Sequence, residues 1–209
     1  PKTVEALQML ARLYQYTPPG SMSKSETDTR LTFLDGLGAH MLTSPSIADV
    51  FVSQPEKLPL FNATLFPTNR GKRGALAEFA SLVITSTTKK RDAVKKFLLF
   101  WFNHDNYLKF ATQTVIGHTA ILNSVLQSDA YWNHPRIKPM AKFIRAGGEA
   151  GKIGVMPGQT FGPNKFAGQV LSAQIWEQMG DMVTVQGKDP SEVAAWAQKQ
   201  IEDIVRSFR

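Results

Sequence analysis

The chain has no cysteine among its 209 residues, which excludes disulfides, thiolate metal sites and cysteine nucleophiles together. It also lacks the run of about 18 apolar residues that marks a membrane-spanning helix. The most apolar stretch, FLLFWF at residues 97–102, is short and flanked by charges, so we expect it in a core. The N-terminal PKTVEALQML lacks the basic, apolar and small-residue order of a signal peptide. Because the first residue is Pro1 rather than Met, we expect the chain to begin inside a longer one.

Motifs of catalytic and metal sites are missing as well. The four histidines are scattered without the paired spacing of metal ligands. The sequence has no Gly-x-Ser-x-Gly elbow and no glycine-rich phosphate loop ending in Lys-Ser or Lys-Thr. The neighbouring carboxylates Glu202 and Asp203 point apart on a helix, whereas a glycosidase needs two that face each other across a cleft. We therefore predict no enzyme activity, no metal and no cofactor.

Acidic residues are few: 17 Asp and Glu stand against 24 Lys and Arg, which gives a net charge of +7. Residues 60–110 hold nine basic and three acidic side chains, a local excess of six positive charges. Such a cluster is typical of nucleic-acid or anionic-surface binding and equally of the solvated face of a helix. We favour the solvated face, because the cluster brackets an apolar stripe and we expect no exposed aromatic residues between its charges. A basic nucleic-acid or anionic-surface binding domain remains the alternative function.

What the sequence does contain is helical periodicity. Hydrophobic residues make up 43% of the chain, enough to bury a core. Three-to-four spacing of apolar residues predicts helices at residues 3–16, 91–102, 105–112 and 165–182, with helical pieces at 129–145 and a weaker helix at 31–42. The tetrapeptide Asp189-Pro190-Ser191-Glu192 predicts the start of a terminal helix, with an acid at the N-cap and proline after it. Residues 21–29 and 147–162 are predicted as loops.

Strand candidates are scarce. EFASLVIT at residues 78–85 predicts a buried strand, and residues 58–65 and 115–122 are weaker candidates. A lone strand cannot satisfy its backbone hydrogen bonds without a sheet. The pattern therefore indicates that the rest of a sheet lies on sequence outside this chain.

The order of the segments is similar to that of a known family. A helix leads into Phe33, Gly36, Ala39 and Met41, and the turn Ser44-Pro45-Ser46 follows. Further along lie the strand candidate from residue 78, the lysine-bearing helix 91–102, the small segment 117–120, a Met-Pro turn at 156–157, the stretch 161–166 and the Pro-initiated closing helix. This series resembles the C-terminal half of an extracellular solute-binding protein of the sugar-binding type, a receptor that feeds ABC importers. In the family the turn at residues 44–46 carries an aromatic residue after the proline, where this chain has Ser46.

The resemblance implies a fold and a division of the chain. The implied fold is α/β and helix-rich, the C-terminal portion of a two-lobed periplasmic-binding-protein type II fold that lacks most of the N-lobe. Residues 1–75 are then a C-lobe segment, residues 76–122 a crossover that contributes to the N-lobe and hinge, and residues 123–209 the C-lobe helices.

The resemblance also implies a function. The protein is expected to bind a sugar or oligosaccharide in a cleft between lobes and to act with the membrane permease of an ABC importer. It is expected to be periplasmic or extracellular, with a lipoprotein anchor as one form the family takes, to be monomeric at full length and to bind no nucleic acid. The resemblance also implies seven ligand-binding residues, which supply hydroxyl, amide, imidazole and carboxylate groups and flat aromatic faces. They are Ser44, Ser46, Glu78, Phe79, His118, Phe161 and Asn164.

Overall fold

The computed structural model describes residues 2–77, 81–114, 120–156 and 164–207. Helices dominate this part of the chain. They are α1 (Lys2–Tyr14), α2 (Glu26–Leu34), α3 (Val50–Ser53), α4 (Arg91–Trp101), α5 (His104–Gln113), α6 (Asn123–Leu126), α7 (Asp129–Trp132), α8 (Ala141–Ile153), α9 (Ala167–Ser172), α10 (Ile175–Thr184) and α11 (Pro190–Ser207). Short 3-10 helices lie at Ser21–Ser23, Pro45–Asp49, Pro55–Leu60 and Lys138–Met140.

Two strands of two residues each, β1 (Ala75–Leu76) and β2 (Gly154–Val155), pair in parallel. Ala75 lies opposite Gly154 and Leu76 opposite Val155. The chain divides into two compact units, unit 1 (Pro1–Met41 with Pro157–Arg209) and unit 2 (Leu42–Met156). Each unit has its own group of buried side chains.

Unit 1 is held together by α1, α10 and α11, which pack on one another. Its buried cluster consists of Leu7, Val170, Ile175, Met179, Val183, Val193 and Ala197. Ile175, Met179 and Val183 recur at four-residue spacing in α10, as do Val193 and Ala197 in α11, so each of these two helices turns one apolar stripe to the cluster. The predicted helix at 3–16 is confirmed as α1, and the predicted terminal helix is confirmed as α11.

Two predictions for unit 1 are wrong. Residues 26–29 are not a loop, because Ser25 caps α2: its hydroxyl accepts from the Asp28 N–H at 3.1 Å while Asp28 reaches back to Ser25. The long helix predicted at 165–182 is broken into α9 and α10. Gln174 adopts a positive φ of 50° between them, a left-handed conformation that no α-helix can continue through.

Unit 2 buries a second set of side chains around α3, α5 and α8. Its most deeply buried members are Ala48, Phe51, Val125, Tyr131 and Ile137. Phe51 packs against Phe143 of α8 in a tilted arrangement, with ring centroids 5.3 Å apart. The predicted helices at 91–102 and 105–112 are confirmed as α4 and α5, and Asn103 caps α5 through the Asp105 N–H at 3.1 Å. The expectation that residues 97–102 lie in a core is wrong in the described structure, where Phe97, Leu99 and Phe100 are 51%, 77% and 61% exposed.

The strand predictions in unit 2 are wrong wherever the structure describes them. Residues 58–65 form part of a 3-10 helix and then an unpaired segment. Of the buried strand predicted at 78–85, residues 78–80 lie outside the described residues, and residues 81–85 pair with no strand. Leu82 is 54% exposed and Val83 76% exposed, so this apolar run is not a core strand within the described residues. Of the segment at 115–122, residues 115–119 are outside the described part and residues 120–122 form no strand.

The loop predicted at 147–162 is helical in its first half. α8 runs through Gly147, Gly148 and Gly151 to Ile153 and leads directly into β2. Glycine disfavours a helix interior by about 1 kcal/mol. Here a tertiary contact at Gly147, described below, requires the absence of a side chain.

Candidate functional site

The turn Ser44-Pro45-Ser46 opens a short 3-10 helix in unit 2. Ser44 occupies the N-cap in an extended conformation, with φ −79° and ψ 161°, and Pro45 takes the first helical position. Proline suits that position because its fixed φ matches a helix and its missing N–H would have no partner there. The Ser44 and Ser46 hydroxyls hydrogen-bond to each other. The turn therefore brings two of the predicted ligand residues side by side.

The turn packs against Gly147 of α8. A Cβ atom built on Gly147 would lie 2.2 Å from Pro45 Cγ and 3.2 Å from Pro45 Cβ. Carbon atoms in contact lie about 3.5–4.0 Å apart, so no other residue fits at position 147 unless the turn moves. The proline thus packs directly on the helix backbone, which fixes the two serines relative to α8.

The segment that follows the turn is held in place by buried side chains. Ile47 and Ala48 are buried, and Phe51 lies between Phe143 and Phe61, with ring centroids 5.3 Å and 5.5 Å away. Tilted aromatic pairs at such distances stabilise beyond simple burial. Lys142 of α8 donates to the Phe61 carbonyl oxygen. The two serines therefore lie next to packed side chains of α3 and α8.

Asn164, the third predicted residue that the structure describes, lies in unit 1 just before α9. Its side-chain oxygen accepts from the Phe166 N–H at 2.9 Å, and its backbone oxygen accepts from the Ala167 N–H at 3.2 Å. Because the oxygen is engaged in the chain's own turn, contact with a ligand would use the amide N–H donors. The Lys165 ammonium lies 4.9 Å from the centre of the Phe166 ring.

The other four predicted residues, Glu78, Phe79, His118 and Phe161, lie outside the described residues. The structure therefore brings together Ser44 and Ser46 in unit 2 and holds Asn164 in a defined turn in unit 1. The assignment of all seven to one site stays a prediction.

Trp132, an aromatic residue outside the predicted ligand set, has a defined environment in unit 2. The Arg145 guanidinium lies 3.8 Å from the centre of its ring, and the indole N–H donates to the Leu126 carbonyl oxygen at 2.7 Å. A cation that close covers one face of the ring, so that face cannot stack on a sugar. The pairing of Arg145 with Trp132 was not predicted, since the two residues are 13 positions apart.

Two titratable groups in the described residues have displaced pKa values. Burial raises the pKa of the Tyr131 hydroxyl to about 12, and the nearby Tyr107 adds to the effect. Hydrogen bonds lower the pKa of Asp189: the Ser191 hydroxyl contributes most, followed by the backbone N–H groups of Ser191 and Glu192. Tyr131 lies in the core and Asp189 caps α11. Both shifts therefore report on folding and neither marks a catalytic group.

The described residues offer little for two other kinds of site, a metal centre and an enclosed pocket. They contain no group of three or more His, Asp or Glu side chains placed to hold a metal ion. A surface depression on α11 has a volume of about 290 Å³ and is lined by Gln198, Ile201, Glu202, Val205 and Arg206. All five belong to one helix, so the depression has no opposing wall to enclose a ligand.

Comparison with known proteins gives one match. A sequence model of a family described as bacterial extracellular solute-binding protein matches residues 1–139. The match includes the Ser44-Pro45-Ser46 turn and helices α1 to α7. No curated protein and no solved structure matches the chain. Within the described residues, no helix has both the length and the apolar character needed to cross a bilayer.

Proposed function

The chain belongs to the family of bacterial extracellular solute-binding proteins, and on that premise we propose that it is the substrate-binding component of an ABC importer for a sugar or oligosaccharide. Membership itself gives the chain a solute-binding role in transport and an extracellular or periplasmic location. The proposal adds the class of solute, a cleft between two lobes as its binding place and a membrane permease as its partner. The observation that carries it is the family match over residues 1–139.

The geometry of the Ser44-Pro45-Ser46 turn supports a saccharide ligand. Sugar hydroxyls both donate and accept hydrogen bonds, and a serine hydroxyl does the same. Two adjacent hydroxyls on a turn clamped against Gly147 offer donors and acceptors with little freedom to lose on binding. Asn164 would add amide donors. Glu78, Phe79, His118 and Phe161 complete the proposed ligand set.

A ligand screen with variants at the turn tests this proposal. Calorimetric titration of the full-length protein with neutral saccharides, polyols and sugar phosphates is expected to give binding by at least one saccharide. A net hydrogen bond contributes about 0.5–1.5 kcal/mol, so Ser44→Ala and Ser46→Ala should each weaken binding by roughly twofold to tenfold. Ser53→Ala is the matched control: it is an exposed serine of unit 2 whose hydroxyl donates to the Val50 carbonyl oxygen at 3.0 Å, and it should leave affinity unchanged.

Three outcomes would contradict the proposal. One is a screen in which no saccharide, polyol or sugar phosphate binds. Another is an equal loss of affinity in Ser53→Ala and in the two turn variants. The third is binding of duplex DNA with an affinity that falls steeply as the salt concentration rises. That result would favour the alternative function, a basic nucleic-acid binding domain.

A further inference from the structure

A short turn in unit 2, just before β1, carries the basic side chains of Arg70, Lys72 and Arg73. Two backbone hydrogen bonds close it: the Asn69 N–H donates to the Lys72 carbonyl oxygen at 2.8 Å, and the Lys72 N–H donates to the Asn69 carbonyl oxygen at 3.0 Å. All residues at 69–74 are exposed. We call residues 69–73 the basic turn. Its closed backbone keeps the three basic residues close together at the surface.

The backbone of the basic turn is strained at Arg70. Arg70 has a φ of 50° and Gly71 a φ of 75°, so both central residues adopt the left-handed conformation of a type I′ turn. Glycine, asparagine and aspartate take this conformation readily, whereas the Cβ atom of an arginine disfavours it. An unfavourable backbone conformation that a protein keeps points to a function for the segment that contains it.

The charge of the basic turn has no acidic counterpart nearby in the sequence. Residues 57–77 contain four basic and no acidic residues, and neither Lys72 nor Arg73 forms an ion pair in the described ranges. Helix α4, which carries the other basic group of this region, differs, because Asp92 lies four positions before Lys96, the spacing of ion-pairing neighbours on a helix. Of the two groups, the basic turn is the one without an acid of its own.

We propose that the basic turn contacts the phosphate headgroups of an anionic lipid surface. Every residue of the turn is exposed, so it does not form the concave pocket that encloses a small anion. A flat array of charges suits it better, since each Lys or Arg near an anionic membrane strengthens binding about fivefold. Duplex DNA suits it less, because three cations fall short of the roughly six to ten phosphate contacts that give strong binding to DNA.

The basic turn is fixed to unit 2 at its base. Ala75, two residues after the turn, pairs with Gly154, and the Ala77 N–H donates to the Val155 carbonyl oxygen at 3.1 Å. The turn shares no residue with the proposed solute site, so the two can be tested separately. The inference rests on the proposed function in one respect: the membrane permease would bring the protein to a lipid surface.

Co-sedimentation with lipid vesicles tests the proposal on the full-length protein, expressed without lipidation. We expect the protein to bind phosphatidylglycerol vesicles, with an affinity that falls as salt is raised, and to bind phosphatidylcholine vesicles far more weakly. Lys72→Gln/Arg73→Gln removes two of the charges and should weaken binding to phosphatidylglycerol about 30-fold. Arg70→Asn, which introduces a residue that tolerates the left-handed conformation, should weaken binding as well.

Helix α4 supplies the matched control. Lys95→Gln/Lys96→Gln removes the same amount of charge from exposed positions of the same unit and should leave vesicle binding within about twofold. Circular dichroism checks that each variant is folded. In Lys72→Gln/Arg73→Gln, the affinity for any saccharide that the protein binds should be unchanged.

Several results would overturn the proposal. One is equal binding to phosphatidylglycerol and phosphatidylcholine vesicles, and another is an equal loss in the turn variant and in Lys95→Gln/Lys96→Gln. Calorimetric binding of tripolyphosphate without vesicle binding would assign the turn to a free phosphate instead. Binding of duplex DNA without vesicle binding, lost in Lys72→Gln/Arg73→Gln, would assign it to nucleic acid. A saccharide screen without a ligand would contradict the proposed function but leave the vesicle result standing, so the two proposals fail separately.

Discussion

The two units differ in how completely they bury the apolar sides of their helices. In unit 1, α1, α10 and α11 cover one another's apolar stripes, and their buried residues form one continuous cluster. In unit 2, α4 has no buried residue, and the β1–β2 pair leaves Leu76 72% and Val155 58% exposed. Parallel strands normally lie in sheets covered on both faces. The same helical period can therefore lead either to a closed core or to an apolar surface that its own unit does not cover.

The largest expected effect comes from opening a cavity in the core of unit 1. Ile175 is 2% exposed, and Ile175→Ala should lower the free energy of unfolding by about 2–5 kcal/mol. Leu99→Ala on α4 removes an aliphatic side chain that is 77% exposed and should change it by less than about 0.5 kcal/mol. Chemical denaturation measures the change in the free energy of unfolding, and hydrogen exchange resolved by peptide shows which unit is destabilised. Equal effects of the two substitutions would remove the contrast between the units.

The second prediction concerns the turn that packs on α8 in unit 2. Gly147→Ala places a methyl group where Pro45 Cγ would lie 2.2 Å away, and such overpacking typically costs about 1–3 kcal/mol. Gly148→Ala, in the same helix with nothing within 4 Å of its added Cβ, should instead stabilise the chain by roughly 0.5–1 kcal/mol. Thermal unfolding of both variants provides the measurement. A Gly147→Ala variant as stable as the unsubstituted chain would mean that the turn does not pack closely against α8.

The third prediction places a pH dependence in unit 2. Burial raises the pKa of Tyr131 to about 12 from an ordinary value of 10.0, so the unfolded chain releases this proton before the folded one does. Stability from this group is complete below pH 10.0 and declines as pH rises towards about 12. Tyr131→Phe cannot titrate, so its stability relative to the unsubstituted chain should rise across that window by on the order of 2 kcal/mol. Denaturation curves at several alkaline pH values test this, and parallel pH profiles would contradict it.

The smallest effect is expected at the start of α11 in unit 1. Hydrogen bonds from the Ser191 hydroxyl and from the Ser191 and Glu192 N–H groups lower the pKa of Asp189. The stabilisation is therefore present above the ordinary Asp pKa of about 3.9 and is lost as pH falls below it. Asp189→Asn keeps a capping side chain but does not titrate, so its Tm should fall less on acidification. A Tm difference that stays constant from neutral pH to about pH 3 would rule out this role.

Helices with a strong local signal were predictable from the sequence. Asp189 and Pro190 define the start of α11 before any packing is considered, and apolar spacing defines α1, α4 and α5. In these segments local preference and tertiary packing point to the same structure, so a single sequence suffices. The family was also predictable, and the match over residues 1–139 confirms the resemblance.

Most of the wrong predictions concern segments whose structure depends on contacts between residues far apart in the sequence. The glycines of α8 indicated a loop, since nothing near Gly147 in the sequence reveals that Pro45 will pack there. The run at 81–85 reads as a strand by composition, but strand formation depends on a partner. The start of α2 is a different case: Ser25 and Asp28 form a local capping signal that was available in the sequence and overlooked.

The candidate site was predictable only in part. Ser44 and Ser46 follow from their position in the family series, and the structure adds the support beneath them, namely Gly147 and the Phe51–Phe143 pair. The role of Asn164 as a turn-former was invisible because it depends on backbone conformation. The Arg145–Trp132 pair was equally invisible, since α7 and α8 must first fold.

The contact between Pro45 and Gly147 also affects how mutational data on this protein should be read. A saturation scan would score position 147 as intolerant, because every replacement carries at least a methyl group. If solute uptake were the readout, such a scan would place position 147 among the ligand-contacting residues. Its true signature would be that all replacements fail alike, with no ranking by polarity or charge. That profile separates a position that shapes the Ser44-Pro45-Ser46 turn from one that touches the solute.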